Sequence, residues 1–181
     1  SDWGVGALWN WGYLTLTNVT ITENINGGLD GAYNVNIKNS IIAGNTNYDC
    51  SGTINSYGNN LIENIAGCTI TGDQTGNIYG KDPLLRPLND NGGGTLTHAL
   101  LDGSPAIDAA DITDANGNPV LEDQRGVSRP QGPANDMGAY EKKEIAGIDL
   151  LIDDISPVQS IEGGDLVKGK STAIKVIIRK N

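Results

Sequence analysis

Leu16–Asn24 reads LTNVTITEN and Ile37–Asn45 reads IKNSIIAGN. Laid together, Leu16 falls on Ile37, Asn18 on Asn39, Ile21 on Ile42 and Asn24 on Asn45. A third segment, NNLIEN, brings Asn60 into the same column, so Asn18, Asn39 and Asn60 stand a constant 21 residues apart. Self-similarity at a fixed period of this size marks a solenoid, in which no coil buries its own apolar face and each is stabilised by stacking on the next.

Within a coil the apolar residues alternate, as in Leu14 and Leu16, then Val19 and Ile21, with a corner between the pairs. Alternation of this kind is the period of a strand, and parallel strands stacked ~4.8 Å apart place identical positions directly above one another. The expected fold is all-β: a right-handed, single-stranded parallel β-helix. An asparagine that recurs at a corner can bond to the asparagine of the next coil and tolerate the left-handed backbone that a tight corner needs. Asn18, Asn39 and Asn60 are read as an inward asparagine ladder.

Composition agrees with this class. The chain has 181 residues, with 25 Gly, no Phe and a core vocabulary of Ile, Leu, Val and Ala, which favours short strands and turns over packed helices. Its net charge of -10, with no cluster of Lys or Arg, repels polyphosphates and argues against nucleic acid as a partner. No apolar run reaches the roughly 18 residues that a membrane-spanning helix needs. Cys50 and Cys68 are the only cysteines, with no His or second Cys pair nearby to complete a zinc site. They read as a disulfide and hence an extracellular or cell-surface setting, the other reading being two buried free thiols.

Three regions follow: coils over 1–81, a block over 82–141, and a tail over 142–181 of renewed β pattern. The segment GALWNWGYLTLTNVTITEN, from Gly6 to Asn24, resembles the recurring coil of bacterial and archaeal right-handed parallel β-helix surface proteins. The block DPLLRPLNDNGGGTLTHALLDGSPAIDAAD, followed by DQRGVSRPQGPANDMGAYE, is similar to the C-terminal segment of those proteins, the choice-of-anchor Q region. That resemblance implies a chain that starts in mid-repeat, with earlier coils upstream, and a Cys pair in the last coil region that supports the Cys50–Cys68 bridge. The tail, AGIDLLIDDISPVQSIEGGDLVKGKSTAIKVIIRKN, resembles the first strands of a CARDB-like Ig-fold domain.

Physically the block reads as a cap. A solenoid end exposes apolar side chains and open strand edges. Leu84, Leu85, Leu88, Leu96, Leu100, Leu101, Ala106 and Ile107 would cover the first, while Pro83, Pro87, Pro105 and Pro130 would stop strands from growing. Arg125 and Arg129 are expected to tie loops together through Asp108, Asp123 or Asp136.

Candidate chemistry is sparse. His98 is the sole histidine, THALLDGSPAID contains no nucleophile elbow, and the Gly169–Ser171 GKS lacks the first glycine of a phosphate-binding loop. Asp111, Asp114, Asn116 and Asn118, in DITDANGNPV, place oxygens around a Gly turn as a Ca2+ site would, or as an ordinary Asn-Gly turn does without an ion. Trp9, Trp11 and Tyr13 alternate on one strand face, where they can stack on sugar rings or pack beside a neighbouring coil. A polysaccharide lyase or hydrolase needs a base beside clustered carboxylates. The visible coils offer Lys38 and Glu23 without such a cluster, so an active site would lie upstream. The expected role is therefore a non-catalytic structural or adhesion protein, a rigid rod joined to Ig-like modules. Its partners would be surface or matrix proteins or glycans, with self-association through the tail strands as a further route.

Overall fold

The computed structural model describes residues 6–10 and 12–143, and the backbone of 152–157 and 174–178. No helix occurs among the described residues. Residues 1–143 form one unit and 144–181 another.

The first unit is a parallel β-solenoid of about three turns. Leu8–Trp9 (β1) and Leu14–Thr17 (β2) both pair with Leu29–Lys38 (β4), which pairs in turn with Cys50–Tyr57 (β6) and then Cys68–Asp73 (β8). A second parallel sheet stacks Thr20–Thr22 (β3), Ile41–Ala43 (β5), Leu61–Ile62 (β7) and Ile78–Tyr79 (β9). Alternation sends Leu29, Val35, Ile37 and Ile54 inward from the first sheet, and Ile21, Ile42 and Ile62 inward from the second. Those side chains form the interior, and all but Ile21 are completely shielded from solvent.

The repeat is not constant. In the second sheet Ile21 pairs with Ile42, 21 residues on, but Ile42 pairs with Ile62 after 20 and Ile62 with Tyr79 after 17. The first shortening begins in the first sheet, where Gly31 faces Gly52 after 21 residues but Val35 faces Ile54 after 19, so three residues of β4 (32–34) bulge opposite Thr53 alone, and the corner restores one, Ile41 facing Leu61 after 20. The second is separate, since Gly52 and Cys68, paired at the start of β8, are already only 16 apart. Because of the first slip the corner column is Asn18, Asn39 and Asn59, with φ of 51°, 52° and 56°, and Asn60 stands outside it. The expected Asn18–Asn39–Asn60 register is corrected at its third member.

Asn60 instead belongs to the inward column. Its Oδ1 accepts from the Ser40 amide at 3.0 Å, as the Ser40 Oγ accepts from the Val19 amide at 3.2 Å and the Asn77 Oδ1 from the Asn60 amide at 2.9 Å. Each side chain thus binds an amide of the coil before it, in a place where an unpaired amide would cost about 1–3 kcal/mol. The polar ladder in the interior is Ser40–Asn60–Asn77.

Residues 83–141 carry only isolated bridges, such as Leu85 with Leu100 and Ala110 with Asn135. They lie along the flank of the stack. The outward residues of the second sheet, Ile41, Ala43 and Leu61, share a core with Leu100, Ala106, Ala110 and Met137. Close approach is set by Gly138, at φ 85°, where a Cβ would stand 2.5 Å from Thr20 Oγ1 and 2.8 Å from Ile41 Cδ1. No residue of the block joins the cluster that fills the interior of the coils. Contacts thus make the block a buttress along the outside of the second sheet, where its sequence suggests a plug at the stack's end. Leu88 and Leu96, expected to provide apolar cover, are half exposed.

Cys50 and Cys68 form a disulfide, with Cα atoms 5.5 Å apart and a sequence separation of 18. It ties the start of β6 to the start of β8, the last strand of its sheet. Reduction is expected to lower the free energy of unfolding by about 3 kcal/mol, the chain-entropy value for a loop of this size. Urea denaturation with and without reductant measures this, and coincident curves would show that the bridge adds nothing.

In the second unit Ile152–Pro157 (β10) pairs antiparallel with Ile174–Ile178 (β11). The remaining residues of the tail from Glu144 onward, the GKS turn included, lie outside the described residues.

Candidate functional site

The seam between coils and block is where the polar side chains of this chain converge. A left-handed corner aims the three asparagine side chains away from the interior and onto the block. Asn18 Nδ2 donates to the Asp136 carbonyl at 3.3 Å and Asn59 Nδ2 to the Ala109 carbonyl at 2.9 Å. Asn39, fully buried, donates to the carbonyls of Asp111 at 2.9 Å and Thr113 at 3.2 Å while its Oδ1 accepts from the Asp111 amide at 3.0 Å. One rung joins the column itself, Asn39 Nδ2 to Asn18 Oδ1 at 3.3 Å.

Beside that column the block encloses two arginines and three acids. Arg125 grips Asp123 through Nε at 2.8 Å and Nη2 at 2.6 Å, and its guanidinium lies 3.6 Å from the centre of the Tyr140 ring. Arg129 donates from Nη1 to Glu141 Oε2 at 2.9 Å and to the Asp136 carbonyl at 2.6 Å, and from Nη2 to the Gly138 carbonyl at 2.7 Å. Both side chains of the Arg129–Glu141 pair are wholly shielded. Of the expected partners, Asp123 holds Arg125, but the ionic partner of Arg129 is Glu141, which sequence reasoning did not single out.

Burial sets the electrostatics here. It pushes the Asp136 carboxyl up to about 6, aided by the charges of Glu141 and Asp108 and opposed by the amides of Asp108 and Lys142. It draws the Arg129 guanidinium down, against the pull of Glu141 first and of Asp123 and Asp136 after it. At Asp123 burial also works upward, but the Glu141 amide, Arg125 and the Val127 amide outweigh it and hold the carboxyl below its ordinary value.

For Asp136 the folded carboxyl binds its proton more tightly than the unfolded one. Its contribution to stability is therefore fully present below about pH 3.8 and is lost as pH rises through about 6. Asp136→Asn removes that dependence, so stability of the wild type relative to the variant is expected to fall between pH 4 and 7. Urea midpoints across that range test it, and a constant difference would refute the shift.

The candidate calcium oxygens have partners within the chain. Asp114 Oδ1 accepts from the amides of Asn116 and Asn118, both at 2.8 Å, and its Oδ2 accepts from Asn118 Nδ2 at 3.1 Å. The cation nearest the loop is Lys38, whose Nζ donates to Asp111 Oδ2 and Thr113 Oγ1 at 3.0 Å and to the Asp114 carbonyl at 3.3 Å. That contact leads the causes that hold the Asp111 carboxyl low. Among the described residues no group of three His, Cys, Asp or Glu stands close enough to share a metal. An ion would have to displace the ammonium and unmake the turn, so excess chelator is expected to leave the melting temperature unchanged. A chelator-induced fall of several degrees would restore the ion to this loop.

Trp9 and Tyr13 are 49% and 88% exposed, and Trp11 lies outside the described residues. His98 Nδ1 is 2.8 Å from the Arg86 carbonyl, a contact within the block. No family model, no curated protein and no solved structure matches this chain.

Proposed function

We propose that this chain is a non-catalytic structural element of an extracellular or cell-surface protein, a rigid β-solenoid segment rather than an enzyme. The observation that carries it is the use made of buried polar groups. Ser40, Asn60 and Asn77 are spent on binding coil to coil, Asn39 on binding coil to block, and Arg129 and Glu141 on binding the loops of the block to one another. A catalytic base or nucleophile needs spare valence toward a substrate, whereas these groups are consumed in holding a shape.

The disulfide supports the extracytoplasmic setting. The motifs of the block support membership of the choice-of-anchor Q type of surface protein, and those of the tail a CARDB-like Ig module in series with the solenoid. Adhesion or matrix partners, with the tail strands as a site of strand addition, complete the proposal.

The test is direct. The purified chain is incubated with acidic and neutral polysaccharides, following new reducing ends and the absorbance of unsaturated uronates. No release above a heat-denatured control is expected. Turnover of any polymer that is lost with the fold would overturn the structural reading in favour of a lyase or hydrolase.

A further inference from the structure

The block covers the second sheet, but the outer face of the first carries Thr15, Asn34, Thr53, Tyr57 and Thr71 exposed. Register aligns Thr15, Asn36, Asn55 and Thr71 in one row across β2, β4, β6 and β8. Asn55 Nδ2 donates to Asn36 Oδ1 at 2.9 Å, and Asn36 Nδ2 to Thr15 Oγ1 at 3.3 Å. Each bond fixes an amide plane and leaves capacity over, since an amide carries two N–H donors and two lone pairs. The bulge of β4 opens a groove of about 340 Å³ against this row, lined by Asn34, Asn36, Thr53, Asn55 and Thr71.

Aromatic rings stand on the same face at both sides of the row. Trp9, in register with Asp30, lies toward the strand starts, and Tyr57, in register with Asp73, lies toward their ends and is 41% exposed. Amides and hydroxyls held in a row and flanked by rings form the chemistry that recognises sugars: hydroxyls take the hydrogen bonds and C–H faces lie on the rings. No Lys or Arg lines the groove, Asp30 and Asp73 flank it, and the chain bears a net charge of -10. These charges would repel a polyuronate or a sulfated chain.

We infer that the outer face of the first sheet is a binding surface for an extended neutral polysaccharide, seated along the Asn36–Asn55 row. This goes beyond the structural role, which stands whether or not the face binds.

Native electrophoresis of the full chain in gels containing a β-glucan, a mannan or a xylan, with alginate and polygalacturonate alongside, tests the inference. At least one neutral polymer is expected to retard the chain and the two acidic ones not to. Thr53→Ala and Tyr57→Ala alter exposed side chains outside the amide row, so they are expected to keep the wild-type melting curve. Tyr57→Ala should weaken retardation ~tenfold, the loss of one aromatic contact, and Thr53→Ala several-fold. Retardation by none of the neutral polymers, retardation by the acidic ones alone, or equal retardation of both variants and the wild type would each overturn it.

Discussion

Replacing Glu141 by glutamine is expected to lower the free energy of unfolding by about 3–5 kcal/mol, the range for removing one partner of a buried ion pair. Three contacts concentrate the effect. Glu141 Oε2 accepts from Arg129 Nη1 and from the Asp136 amide, both at 2.9 Å, and Oε1 accepts from the Gln131 amide at 2.8 Å. An amide at this place presents N–H groups toward one set of donors and leaves the Arg129 charge uncompensated where solvent does not reach. Arg129→Met is expected to be costly as well, since it leaves the Glu141 carboxylate unpaired and also strands the carbonyls of Asp136 and Gly138. The double variant should lose less than the sum of the two singles, because the charge left unpaired in each single variant is absent from it. Urea denaturation of the four proteins closes the cycle. A loss under 1 kcal/mol for Glu141→Gln, or strict additivity, would show that the pair does not hold the block in place.

The coils were legible because a stack repeats the same environment at each level. Leu16 over Ile37 and Ile21 over Ile42 could be aligned from sequence, and the structure pairs them as aligned. Legibility stopped at the bulge. Residues 32–34 are accommodated by bending one strand, and nothing in their composition announces two extra residues opposite Thr53. The alignment therefore chose Asn60 over Asn59, two adjacent asparagines of opposite destiny.

The placement of the block was hidden for a related reason. Leu100, Ala106 and Met137 declare apolar contact, but a sheet with two faces and an end offers three places to make it. Ile41 and Leu61 decide between them, since they are outward positions of the second sheet that carry large apolar side chains, a signal present in the sequence as a break in the alternation at Ile41–Ile42 and Leu61–Ile62. Glu141 was missed because the block holds many more acids than Arg125 and Arg129 can pair with, and rank among them depends on burial. Lys38 carried a hint that went unused: a lysine in a strand between Ile37 and Asn39 needs an anion nearby, and the DITDANGNP loop provides it.

The distinction between Asn59 and Asn60 also makes the second large prediction. At Asn39, with φ 52°, a β-carbon is strained by about 1–2 kcal/mol in the left-handed region, whereas glycine is not. Both Asn39→Ala and Asn39→Gly lose the bonds to Asp111 and Thr113 and leave the Asp111 amide without its acceptor, a loss of about 1–3 kcal/mol. Asn39→Ala is therefore expected to destabilise by about 2–5 kcal/mol, and Asn39→Gly by about 1–2 kcal/mol less. Asn59, with φ 56°, should show the same order with a smaller total, because its side chain makes one bond to the block, to the Ala109 carbonyl. Asn60 is outside the left-handed set, and there the order should invert: Ala destabilises by losing the Ser40 amide's acceptor, and Gly by about 0.5–1 kcal/mol more through backbone freedom. Six variants and one denaturation series decide the register. Glycine better than alanine at Asn60, or worse at Asn59, would return Asn60 to the corner column and remove the bulge as the cause of the shortened coil.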